Sequence, residues 1–158
     1  FSRAGFRVEE IAETFDGQFL TLHARAAAGP VSAPEPSRAP LADLVAGFSS
    51  LYRDKVELWK ARLDRWKSQG KKVAAWGAGT KGTTFLNTLG RFGAVERVVD
   101  VNPRKHGRFV AGTGQVIIPP QGLAADPPQV VLIMNPIYHG EIAESVRKIG
   151  LDVEFSHV

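Results

Sequence analysis

Apolar and polar positions change their period along this chain, and the changes divide it. Phe6-Arg7-Val8-Glu9-Glu10-Ile11-Ala12-Glu13-Thr14-Phe15 reads as a strand. Asp16-Gly17 is a hairpin turn signal, and Gln18-Phe19-Leu20-Thr21-Leu22-His23-Ala24 alternates as the return strand. Two strands alone are marginal in water, so this pair is expected to complete a larger sheet. Residues 29–40 are rich in proline, alanine and serine and poor in apolar bulk, which predicts a partly stiffened connector. The expected organisation is therefore a hairpin in residues 1–28, a linker in 29–40 and a main domain in 41–158.

Residues 41–69 show a different period. Leu41, Leu44, Val45, Phe48, Tyr52, Val56, Trp59, Leu63 and Trp66 recur every three or four positions and predict one long helix with an apolar face. Gly47 weakens such a helix without breaking it, and Gly70 supplies a stop. The face either packs on the sheet that follows or on a neighbouring domain, or it serves a partner or a membrane surface.

From Lys71 the pattern becomes β-α-β. A strand at 72–76 runs into a glycine loop and a helix reaching about Leu89. Gly90-Arg91-Phe92-Gly93 turns the chain into a strand at 95–100, and a polar, basic loop follows to Arg108. Further strands are expected at 115–118, 129–134 and 151–155, with a brief helix at 121–125 and an amphipathic one at 140–149. The run Gln129-Val130-Val131-Leu132-Ile133-Met134 is nearly all apolar, the mark of a strand covered on both faces. Alternating strands and helices predict an α/β fold, a Rossmann-like parallel sheet with helices on both faces. Ligands of such sheets sit beyond the carboxyl ends of the strands. Those ends are the glycine loop, residues 100–108 and residues 135–139.

Composition narrows the field. The chain has 158 residues, an ordinary 44% hydrophobic content and no cysteine, which removes disulfides and cysteine-based zinc sites. No apolar run approaches about 18 residues and nothing resembles a signal peptide, so a cytoplasmic protein without a membrane partner is expected. The net charge of +4 suits a phosphate-bearing ligand. Basic residues interspersed with acids fall short of a nucleic-acid footprint. The chain opens at Phe1 instead of a methionine, so part of a longer protein is expected upstream.

The candidate chemistry centres on Trp76-Gly77-Ala78-Gly79-Thr80-Lys81-Gly82. Gly77, Gly79 and Gly82 have the G-x-G-x-x-G spacing, and Asp100 lies about 20 positions further on, as in a dinucleotide fingerprint. Gly77 permits the turn, Gly79 lets a ligand approach the backbone, and Gly82 lets helix and strand pack closely. The helix start then offers free N–H groups and a partial positive charge to an anion. The same glycines also suit a tight turn that binds nothing. Thr80 and Lys81 are candidate loop contacts. Asp100 either accepts from a ribose diol or caps the turn at Asn102-Pro103. Lys105, His106 and Arg108 either meet phosphates or stand solvated. Asn135, Tyr138 and His139 follow a buried strand at the ligand-facing edge. His139 has no acidic partner at local spacing, His23 and His157 have no ligand-type company, and no metal site is expected.

Together with the glycine loop, Asp100-Val101-Asn102-Pro103-Arg104-Lys105-His106-Gly107, Gly112-Thr113 and Val116-Ile117-Ile118-Pro119 make residues 41–158 resemble the carboxyl-terminal domain of S-adenosylmethionine-dependent sugar C-methyltransferases. The resemblance implies a parent enzyme that methylates a carbon of a nucleotide-linked sugar or related molecule. It implies that the methyl donor and the catalytic residues lie mainly upstream, and that this domain binds no cofactor itself and helps to hold the substrate. Residues 1–28 would be the tail of the methyltransferase domain, with Gly17-Gln18-Phe19-Leu20 close to that family's glycine-containing strand entry. One departure stands at Phe15-Asp16-Gly17-Gln18, where family members often carry a His-Gly-Gly-Ser type stretch.

Two other functions remain open on the residues. One is an NAD-binding domain of an oxidoreductase; Asp100 would favour NAD over NADP, but residues 71–158 are expected to span only about half of a two-part dinucleotide fold. The other is a structural or oligomerisation module built on the long helix.

Overall fold

In the computed structural model the described residues are 1–32, 41–89 and 94–158. The turn expected at residues 90–93 and most of the 29–40 linker lie outside them. The chain divides into two compact units, Phe1–Ala46 and Gly47–Val158.

In the first unit, β1 (Phe6–Thr14) pairs antiparallel with β2 (Phe19–Ala26), from Phe6 opposite Ala26 to Thr14 opposite Phe19. The connection turns left-handed at Phe15, Asp16 and Gly17, with φ of 56°, 53° and 71°. The Asp-Gly signal thus sits at the tip, where φ > 0 is required. Ile11, Phe15, Phe19 and Leu20 are exposed on this hairpin.

Helix α1 runs unbroken from Leu41 to Ser68 and so continues into the second unit. It ends at Gly70, whose φ of 67° is the left-handed cap the sequence predicts. Its predicted stripe divides in two. Trp59, Leu63 and Trp66 are buried. Leu41, Leu44, Val45, Phe48 and Tyr52, nearer the start, are exposed.

The second unit holds a five-stranded parallel sheet. Its strands are β3 (Val73–Trp76), β4 (Val95–Val99), β5 (Val116–Ile118), β6 (Val130–Ile133) and β7 (Glu154–His157), in the spatial order β5-β4-β3-β6-β7. Counted from β3 this is the order 3-2-1-4-5, five of the six strands of the doubly wound dinucleotide fold. The expectation of only about half such a fold is corrected: all five strands join one sheet.

Both faces are covered. Val73, Ala75, Val130 and Leu132 face a core shared with Trp59, Leu63 and Trp66 of α1 and with Phe85, Leu86 and Leu89 of α2 (Thr80–Leu89). Trp59 meets Phe85 edge to face at 5.2 Å between ring centroids. The alternate residues Ala74, Trp76, Val131 and Ile133 face Ile142 and Val146 of α3 (His139–Lys148) and Leu123. Alternation with a period of two, apolar on both sides, is why these strands read as continuous apolar runs.

β7 begins three residues later than expected. Leu151 and Val153 pack onto the second core before the ladder opens, and Glu154 to His157 then pair with Val130 to Ile133. This register carries His157 to the carboxyl end of the sheet.

Candidate functional site

The strand order reverses at β3, which lies between β4 and β6. A doubly wound sheet opens a crevice at that switch point, beyond the carboxyl ends of the strands. Here the crevice is a cavity of about 550 Å³, within the usual size of a small-molecule site.

The glycine loop forms one wall. Gly77 leaves β3 at φ 117°, a conformation that favours glycine, while its N–H donates to the Val99 carbonyl at 2.8 Å. A Cβ on Gly82 would stand 2.0 Å from the Gly77 carbonyl oxygen, so only glycine lets α2 start this close to the strand. A Cβ on Gly79 would meet nothing within 4 Å. Gly79 is therefore the bare, open face of the loop. Gly77, Gly79, Thr80, Lys81 and Gly82 all line the cavity.

The opposite wall comes from the loop after β6 and from α3. Asn135 and Tyr138, both candidates from the sequence, line it. Trp76, Val101, Met134, Glu141, Ile142 and Ser145 also line the cavity and were not among the candidates. Their signals were weak in sequence. Trp76 and Met134 are the last residues of apolar runs, and Glu141, Ile142 and Ser145 reach the cavity only because α3 starts at its edge.

Asp100 borders the cavity at 8% exposure. Its Oδ2 accepts from the Ala78 N–H at 2.9 Å and from Lys105 Nζ at 2.8 Å, and its Oδ1 accepts from the Asn102 N–H at 2.9 Å. Lys105 Nζ also donates to the Ala78 carbonyl at 3.2 Å. Asp100 and Lys105 therefore grip both sides of Ala78 in the glycine loop. Burial pushes the Asp100 carboxyl up, but the Lys105 ammonium and the Asn102 and Ala78 amides outweigh it and hold the group below its ordinary value.

Asn102 caps the 3-10 turn Pro103–Lys105, its side chain accepting from the Arg104 N–H at 3.0 Å. His106 Nε2 lies 2.7 Å from the Asp100 carbonyl. Gly107, at φ 73°, donates its N–H to the Ile117 carbonyl. Residues 100–107 thus form a brace behind the loop. Asn102 and Lys105 belong to that brace and lie outside the cavity lining.

His157, expected to have no ligand-type company, meets another histidine across the fold. His139 Nδ1 and His157 Nε2 are 2.9 Å apart, and the His139 ring lies against Phe155. The late start of β7 brings them together, which no local spacing reveals. Among the described residues no group of three or more His, Cys, Asp or Glu is placed to hold a metal ion. No helix among them is long and apolar enough to cross a membrane.

The lining suits a ligand that carries an anionic group together with apolar and hydrogen-bonding surface. Backbone N–H groups at the start of α2 and the Lys81 ammonium serve the anion. Trp76, Met134 and Ile142 supply apolar surface, and Asn135, Tyr138, Glu141 and Ser145 supply polar contacts.

The sequence profile of one family, described as C-methyltransferase C-terminal domain, matches residues 42–152. No curated protein matches the chain. Among solved structures, the crystal structure of RSP, a Rex-family repressor, superposes with a TM-score of 0.42 and 16% identity, over 70% of this chain and 60% of that one. The crystal structure of RSP in complex with beta-NADH gives 0.41 and 16%, over 59% and 57%. Likeness at this level does not bear on what the chain binds.

Proposed function

Because this chain belongs to the family of C-methyltransferase C-terminal domains, we propose that it is the substrate-holding part of an S-adenosylmethionine-dependent C-methyltransferase. The acceptor is a nucleotide-linked sugar or a related small molecule. The observation that carries this reading is the cavity at the switch point, with Gly79 bare on its surface and Lys81 at the helix start. Gly77, Gly79, Thr80, Lys81 and Gly82 hold the phosphates. Asn135 and Tyr138 contact the rest of the ligand, with Glu141 a ready acceptor for sugar hydroxyls. Asp100, Asn102 and Lys105 act from behind by keeping the loop in shape.

Bond-making belongs to a methyltransferase domain outside this stretch, of which residues 1–28 are the tail and residues 29–40 the tether. The methyl donor, too, binds there. Its sulfonium is a cation, and the donor set here, amides at a helix start plus Lys81, suits an anion.

An NAD site is the second reading, favoured by the strand order and the glycine spacing. Against it, three of the roughly four acceptor positions of the Asp100 carboxylate are already taken, leaving too few for a ribose diol.

A thermal-shift series on the full chain separates these readings. Nucleotide-diphosphate sugars are expected to raise Tm, and S-adenosylmethionine is not. A rise with NAD alone would reject the methyltransferase reading. Gly79→Val, which meets open space in the protein, should abolish the shift while leaving the unliganded Tm within a few degrees. Binding that survives this substitution would place the ligand elsewhere.

A further inference from the structure

A second cavity of about 490 Å³ opens on the other side of the first turn of α2. Its walls are α1 and α2, and Thr80, Lys81 and Met134 line both cavities. Its floor is apolar: Trp59, Phe85 and Met134 are all buried in the core. Val56 and Val158, which pack against that core, extend the apolar surface.

The rim is polar, and its charged side chains are of one sign. Lys55 of α1 and Lys81 of α2 both line the cavity, and no acidic side chain does. Neither lysine forms an ion pair among the described residues, although neighbouring lysines do: Lys60 pairs with Glu57 at 2.7 Å, and Lys105 with Asp100. Thr80, Thr84 and Thr88 stand at successive four-residue steps along α2 and line the cavity with hydroxyls, which donate to oxygen atoms. Tyr52 adds an amphipathic ring at the edge.

We infer that this cavity is a binding site for a small amphipathic anion, a molecule with an apolar body and one carboxylate or phosphate. The body lies on Trp59, Phe85 and Met134, and the anionic head sits between Lys55 and Lys81. An anion held on the apolar floor meets the two ammonium groups that line the cavity. The inference is independent of the substrate proposed for the first cavity, since most of the lining residues differ. It adds one consequence. Lys81 serves both sites, so an anion in one weakens the hold on an anion in the other.

The test is a fluorescence titration of the full chain, whose Trp59 forms part of the floor. The probes are dodecanoate, dodecyl phosphate and dodecyltrimethylammonium, each below its micelle concentration. Either anion or both are expected to change the signal saturably, and the ammonium compound at least tenfold more weakly. Which anion binds better identifies the head group. Lys55→Glu, at an exposed position of α1, should weaken the anion at least tenfold. Thr84→Trp, exposed on α2, should fill the groove and abolish binding, with circular dichroism reporting that both variants remain folded. Equal binding of anion and cation would overturn the inference, and so would anion binding that survives Thr84→Trp in the folded protein.

Discussion

Gly79 and Gly82 stand three positions apart in one loop and do opposite things. The missing side chain of Gly82 admits the backbone of Gly77, and that of Gly79 leaves space beside the cavity. Gly82→Ala forces a Cβ to within 2.0 Å of a carbonyl oxygen, and overpacking of this kind costs about 1–3 kcal/mol or more. Gly79→Ala meets open space and should cost only about 1 kcal/mol, the loss expected when alanine replaces glycine at a helix N-cap. Urea unfolding of the two variants checks the contrast, and equal losses would contradict the geometry. Asp100 is the other residue that decides the loop. Its carboxyl is held low chiefly because Lys105 and two amides outweigh burial, so the folded state binds its proton more weakly than the unfolded chain. Its stabilising contribution is therefore complete above the unfolded value of about 3.9 and drains away as pH falls below that. Asp100→Asn should lower stability by about 2 kcal/mol at neutral pH, as expected for hydrogen bonds to a charged group. The gap between wild type and variant should narrow as pH falls below about 3.9 and on through the lowered value of the folded state. Tm measured against pH reads both effects, and a gap that persists at low pH would show that charge is not the cause.

At the scale of elements, α1 shows how a periodic stripe divides between core and surface. The sequence predicts one apolar face from Leu41 to Trp66, and the helix is there from end to end. Only its later turns meet the sheet. Trp59→Ala should cost about 3–5 kcal/mol by emptying a core position against Phe85. Phe48→Ser, at a position 69% exposed, should change stability by under about 0.5 kcal/mol. Chemical denaturation of the two variants decides whether the helix is divided in this way. The brace at 100–107 makes the converse point. Read along the chain it looks like a basic, phosphate-seeking loop, because Lys105, His106 and Arg108 cluster there. Folded, it turns Lys105 inward onto Asp100 and the Ala78 carbonyl, and the cation left facing the cavity is Lys81.

For the whole molecule, the two units differ in how much core each owns. The hairpin buries none of its residues, whereas β3 and β6 are buried at every position. Native-state hydrogen exchange should therefore protect the amides of Val73–Trp76 and Val130–Ile133 most, with those of Phe6–Thr14 exchanging by local opening at far lower free energy. Uniform protection across both units would contradict this. The same distribution of burial explains what could be read in advance. Periodicity, glycine spacing and capping residues are local, so the order of strands and helices, the glycine loop and most of the cavity wall were written in neighbouring residues. They determined a parallel α/β sheet with Gly77, Gly79, Gly82 and Lys81 at its switch point. Tertiary structure alone decided which half of α1 is core, that Asp100 and Lys105 hold the loop from behind, that α3 lends Glu141 and Ser145 to the cavity, and that His139 meets His157. Each of those depends on the distance between elements far apart in the chain, which packing sets and local spacing does not encode.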